Sequence, residues 1–169
     1  MEKRRTHVLQ WHPAFYADIQ IELEAEAGLL IFENEHQLGT KPKEIDVLIV
    51  KKEQEVPVRK NIGRIFRKYN IVEYKSPTDY LSIDDFYKFM AYACFYKADT
   101  SREDSIKIQD ITITFVCHRY PRSLIRHLKE ERGYQITGVE DGIYYIIGDK
   151  IPIQNDSDER IIGETQIYG

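Results

Sequence analysis

A chain of 169 residues with 42% hydrophobic and 31% charged residues can build one core without disulfide staples, and its net charge of -4 argues against a protein that coats nucleic acid. No apolar run is long enough to cross a bilayer, and the basic start, M-E-K-R-R, has no apolar stretch behind it to make a secretory signal. The composition predicts a single cytoplasmic domain over residues 1–154 with a polar tail over 155–169.

The first element in chain order is a helix predicted over Pro13–Ala27, with proline in its first turn and Gly28 as its stop. Phe15, Ile19, Glu22, Leu23 and Glu26 share one face, which puts Glu22 at the edge of the buried stripe. A strand follows over Leu29–Leu38, then a turn over Gly39–Lys43. His36 on that strand has no second histidine or cysteine at ligand spacing and reads as structural. The next strand, Glu44–Lys52, carries Asp46 immediately before four aliphatic residues, an unusual place for an acid.

The connection over 53–69 is polar and then basic, and its pattern fits a helical turn or a bent strand equally. From Lys41 to Lys75 ten basic residues stand against five acids, so Arg64, Arg67 and Lys68 become candidates for phosphate contacts; a solvated loop of mixed charge fits the same composition. Asn70–Ser76 reads as a strand closed by Pro77, with Glu73 and Lys75 on one face and Val72 and Tyr74 on the other. Such a pair is also what an ordinary wet strand face carries. If the two strands form a hairpin with Lys51 opposite Lys68, Asp46 lies opposite Glu73, and two facing carboxylates call for a cation. Oxygen ligands of this kind suit Mg2+ or Mn2+.

Asp46 at the head of one strand, the triplet Glu73-Tyr74-Lys75 on the next, and the helix that follows resemble the PD-(D/E)XK nuclease-like superfamily, as does the longer wording H-Q-L-G-T-K-P-K-E-I-D-V-L-I-V-K-K. The resemblance spans residues 12–154. In one departure, Ile45 rather than a proline precedes Asp46, the nearest being Pro42. The resemblance implies an α/β fold, a mixed β-sheet flanked by helices with a restriction-endonuclease-like αβββαβ core, here with an added C-terminal helix and hairpin. It further implies a metal-dependent nuclease acting on DNA or RNA, with Asp46 and Glu73 as metal ligands, Lys75 as catalytic partner and Glu22 as an extra acid.

Ser82 opens a helix with Asp85 as capping partner, and its apolar run from Ile83 to Phe95 must pack on the sheet. Lys88 and Tyr92, one turn apart, are placed to overhang the site as polar residues of that helix do in the resembled superfamily. A strand over 111–117 parallel to the Glu73 strand, a basic helix over Pro121–Gly133, and a hairpin of Tyr134–Val139 with Ile143–Ile147 complete the predicted elements. Cys94 and Cys117 lack zinc spacing and read as buried free thiols. The readings from another class are a catalytically inactive module that binds nucleic acid or a protein through its basic arm, and a structural domain whose Glu73 and Lys75 merely pair.

Overall fold

Every element predicted as helix or strand is present, but one strand that was not predicted joins two parts of the sheet. The computed structural model describes residues 11–38, 45–98 and 106–157, leaving aside the side chains of residues 11, 12, 35–38, 45 and 46. The predicted turn at 39–43, the His36 and Asp46 side chains and the tail from 158 lie outside the described residues.

The elements run α1 (Trp11–Glu22), β1 (Leu30–Leu38), β2 (Ile45–Lys52), β3 (Tyr69–Tyr74), α2 (Ile83–Ala98), β4 (Ile111–Val116), α3 (Arg122–Arg132), β5 (Gln135–Glu140), β6 (Ile143–Ile147) and β7 (Ile153–Asp156). All seven strands form one mixed sheet in the order β1-β2-β3-β4-β7-β6-β5, with β3, β4 and β7 parallel to their neighbours in that group. The first six elements have the order αβββαβ that the sequence predicts.

Alternation along β3 divides the core in two. Ile71 joins Ile49, Ile113 and Phe115 beneath α2 and α3, whereas Val72 and Tyr74 join Val50 beneath α1. Helix α1 fits its face because Phe15, Ile19 and Leu23 recur every fourth residue, and the Phe15 ring stacks on Tyr74 with centroids 4.4 Å apart. It ends earlier than predicted: a 3-10 turn over Glu24–Leu29 replaces its last residues, and in it Glu26 is turned inward to accept the Arg59 amide at 3.2 Å. The connection over 53–69 is neither a full helix nor a strand. Its Val58, Ile62 and Phe66 are buried against the α1 side of the sheet, and only Asn61–Gly63 makes a helical turn.

The β2–β3 register differs by one residue from the predicted one. Lys51 pairs with Tyr69 and Leu48 with Val72, so Asp46 is not the position opposite Glu73. Asn70 supplies the physical reason. Its buried amide donates to the carbonyls of Val50 and Arg67 at 2.9 and 2.8 Å and accepts from the Arg67 amide and the Thr112 hydroxyl at 2.8 and 2.6 Å, all four bonds an asparagine can make. A slip by one position would move Asn70 to the other face and leave a buried amide unbonded.

Helix α3 and the β5–β6 hairpin lie as predicted, with Gly133 in the left-handed conformation at φ 64° closing the helix. Strand β7 lies between β4 and the hairpin, and Asn155 and Asp156, predicted to begin the tail, are fully buried in it. Gln154 ties β7 across the α1 face through the Ile62 carbonyl at 2.6 Å and the Thr114 hydroxyl at 2.9 Å. Cys117 is buried as expected, but Cys94 is exposed on α2. No described helix is long and apolar enough to cross a membrane.

Candidate functional site

The β2–β3 ladder ends at Leu48 and Val72, while β3 stays paired to β4 through Glu73 and Tyr74. Glu73 therefore lies on the α2 face where β2 leaves β3, at the carboxyl end of a parallel strand. Crevices outside the carboxyl ends of parallel strands are where open α/β sheets commonly bind ligands.

Glu73 and Lys75 share that face, as their spacing predicts, with 3.5 Å between Oε1 and Nζ. Lys75 also reaches Asp85 Oδ1 at 3.0 Å, so a single ammonium bridges two carboxylates. The side chains of Glu73, Lys75 and Asp85 are only 18%, 20% and 11% exposed, which rules out a freely solvated pair on a wet strand face. Lys88 adds a second ammonium 3.9 Å from Asp85, one helical turn along α2.

Ser82 and Asp85 form a reciprocal cap. The Ser82 amide and hydroxyl donate to Asp85 Oδ2 at 2.9 and 2.8 Å, and the Asp85 amide donates to the Ser82 hydroxyl at 3.0 Å. The cap fixes the carboxylate with one oxygen toward the backbone and the other toward Lys75. Ser82→Ala is expected to cost about 1 to 2 kcal/mol by removing this cap, a loss that urea unfolding would measure.

Burial pushes the Glu73 carboxyl up from 4.5 to about 7, because Lys75 offsets only part of the desolvation. Burial opposes ionisation of Asp85 too, but the Ser82 bonds and Lys75 outweigh it and hold that carboxyl below its usual range. Lys75 is desolvated as well, yet Asp85 and Glu73 together keep its ammonium more basic than usual. Tyr92 is raised by burial and then by the negative charge of Glu73 and Asp85, which places its hydroxyl in the same electrostatic neighbourhood.

The structure thus brings Glu73, Lys75 and Lys88 together and adds Asp85, which sequence reasoning used only as a cap. Its signal was an acid in the first turn of the helix that follows the Glu-x-Lys strand. Glu22 lies elsewhere, on α1 against the opposite sheet face, 3.6 Å from Lys60. The basic arm is also distant. Arg67 and Lys68 precede β3, whose rise puts Tyr69 about 13 Å from Glu73, and each is engaged: Arg67 with the Gln109 carbonyl, Lys68 with Asp110 at 3.9 Å. Arg64 pairs with Glu140 of β5. Asp46 is in β2, with its side chain outside the described ones.

Among the described residues no group of three or more His, Cys, Asp or Glu side chains forms a metal cage. The described carboxylate oxygens at this site are those of Glu73 and Asp85. A magnesium ion fits such a place, since it is commonly bound through one or two carboxylates and keeps several waters.

No family model matches the chain, and no curated protein does. Among solved structures the chain is similar to an XisH family protein from Nostoc punctiforme, with 14% identity and a TM-score of 0.38, over 68% of this chain and 84% of that one.

Proposed function

We propose that the chain is a metal-dependent phosphodiesterase acting on nucleic acid, with its centre at Glu73, Lys75 and Asp85. The observation that carries this reading is the Lys75 ammonium held between two largely buried carboxylates, 3.5 Å from one and 3.0 Å from the other, where β2 parts from β3. An arrangement serving stability alone has little use for a second desolvated carboxylate, because Asp85 already satisfies the lysine.

Glu73 is the ligand proposed for Mg2+ or Mn2+, with Asp85 as its partner from α2. When bound, the cation would lower the pKa of a water and neutralise charge on the scissile phosphate. Lys75 holds its ammonium beside the carboxylates, where it donates to a phosphate oxygen or to the attacking water as negative charge grows. Asp85, ionised and fixed by Ser82, orients Lys75 and keeps it charged. Lys88, more exposed, offers a further positive charge to the strand entering the site.

Two measurements test the reading. Calorimetric titration with manganese is expected to show weak binding to the wild type and none to the double variant Glu73→Gln, Asp85→Asn. Cleavage of plasmid and RNA is expected with magnesium or manganese and not with chelator. Unchanged metal binding in the double variant removes the ligand assignment, and a wild type that cleaves no nucleic acid under any condition favours the inactive binding module instead.

A further inference from the structure

The predicted basic arm is engaged by its neighbours, Arg64 and Lys68 with acids and Arg67 with a carbonyl, but a second basic region remains open at the same end of the sheet as Glu73. After β4 the chain passes through His118, Arg119 and Tyr120 into α3 and borders a cavity of about 510 Å³. This cavity is bordered by residues next in the chain to the candidate site. Leu81, which lines it, precedes the Ser82 that holds Asp85, and the Lys75 amide donates to the Val116 carbonyl at 2.8 Å, two residues before His118.

Among the described residues no acid lines this cavity. Tyr120 and Arg122 continue into a neighbouring cavity of about 350 Å³ on the outer face of α3, where Arg126 and Lys129 outnumber Glu130. Arg119, Arg122, Arg126 and Lys129 are exposed, and none of the four is ion-paired among the described residues. On a chain of net charge -4, four cations with no ion-pair partner among the described residues, set along one continuous groove, form a local field that attracts a polyanion. Tyr80 lines the first cavity with 74% of its surface exposed, an aromatic face beside two arginines with nothing packed over most of it. Arginines that track a backbone and an open aromatic ring on which a base can stack together suit a single strand, because a duplex buries its base faces.

We infer that the groove from Tyr80 and Arg119 to Lys129 binds single-stranded nucleic acid and leads its phosphodiester backbone toward Lys75. The inference rests on the proposed activity for its purpose, but binding can be measured apart from cleavage. With chelator present, a fluorescent single strand of about 12 nucleotides should raise its anisotropy on the full chain. The double variant Arg119→Gln, Arg122→Gln should bind about 20-fold more weakly near 0.1 M salt, with a salt dependence shallower by about 1.4 in log–log slope, the loss of two phosphate contacts. Tyr80→Ala should weaken binding with the slope unchanged, and an equal duplex should bind less well than the strand. All three positions are exposed, so the variants should melt with the wild type.

Several outcomes overturn the inference: no binding by the wild type, an arginine variant that binds like it, a duplex preferred to the strand, or an equal loss on changing Arg67 and Lys68. Failure of the proposed activity looks different. A strand bound through this groove and never cleaved with magnesium would leave the inference standing, whereas cleavage unaffected by the arginine variant would leave the activity standing and remove the groove.

Discussion

Lys75→Ala is expected to lower stability and turnover together, the largest combined effect of any single substitution at the site. Removing the ammonium leaves Glu73 and Asp85 as two largely buried carboxylates without the charge they share. Breaking a fully buried pair costs about 3 to 5 kcal/mol. With a fifth of the lysine still exposed, a loss of about 2 to 3 kcal/mol is expected, and a chain of this size then melts about 5 to 10 °C lower. Glu73 can relieve part of the repulsion by taking up a proton, so the loss should be greater at pH 8 than at pH 5. Turnover should fall about 100- to 1000-fold, as when one donor to a developing oxyanion is removed. Lys75→Arg separates the two roles: its charge should restore most of the melting temperature, while its broad planar fork should not restore the rate. Thermal melts and single-turnover cleavage with saturating metal are the measurements. A Lys75→Ala protein that melts and cleaves like the wild type would sink the assignment.

The second large effect is a pH dependence of stability centred on Glu73. Its carboxyl rises from 4.5 to about 7 in the folded chain, so the folded state holds this proton more tightly than the unfolded one. The resulting stability is fully present below 4.5 and is lost as the pH rises through about 7. A shift of this size corresponds to as much as about 3 kcal/mol, at 1.36 kcal/mol per unit. Glu73→Gln resembles the protonated carboxyl at every pH. The variant should therefore match the wild type near pH 4 and exceed it by about 1 to 3 kcal/mol at pH 8. Taking the difference between the two proteins cancels the histidines and other groups that titrate in both. Magnesium should narrow the gap at pH 8 by stabilising the wild type alone, since a ligand of the folded state adds to its stability. Urea unfolding at the two pH values checks it, and parallel curves for the two proteins would mean that Glu73 is not desolvated.

What the sequence revealed depended on whether the deciding signal was local. The Ser82–Asp85 cap, the left-handed stop at Gly133 and the tight turn of the β5–β6 hairpin are each fixed by a few adjacent residues, and each lies where predicted. Register was not legible in this way. Valine, leucine and isoleucine fill both faces of β2, so alternation could not choose between adjacent pairings; Asn70 chooses, through partners as far away as Thr112. Strand β7 was missed because Gln154, Asn155 and Asp156 read as surface residues, whereas all three are fully buried. At the site, the shared face of Glu73 and Lys75 follows from spacing alone. Asp85 comes to them only through the path of the chain from β3 into α2, and the arginines beyond β4 become a groove only once β4 lies beside β3.

The position of β7 also orders the assembly of the molecule in time. Strand β4 is bordered on one side by β3, about 40 residues earlier, and on the other by β7, about 40 residues later, so its second edge stays open until Asp156 has been made. The β5–β6 hairpin precedes β7 in sequence but reaches the sheet only through it, so it can form early and must wait to dock. Pairing strands across such separations is slow, because the loop-closure entropy must be met before the non-local contacts form. The exposed edge of β4, with Ile113 and Phe115 on it, is thus the surface a nascent chain must keep from pairing with a neighbour, and β7 is the segment whose arrival ends that risk.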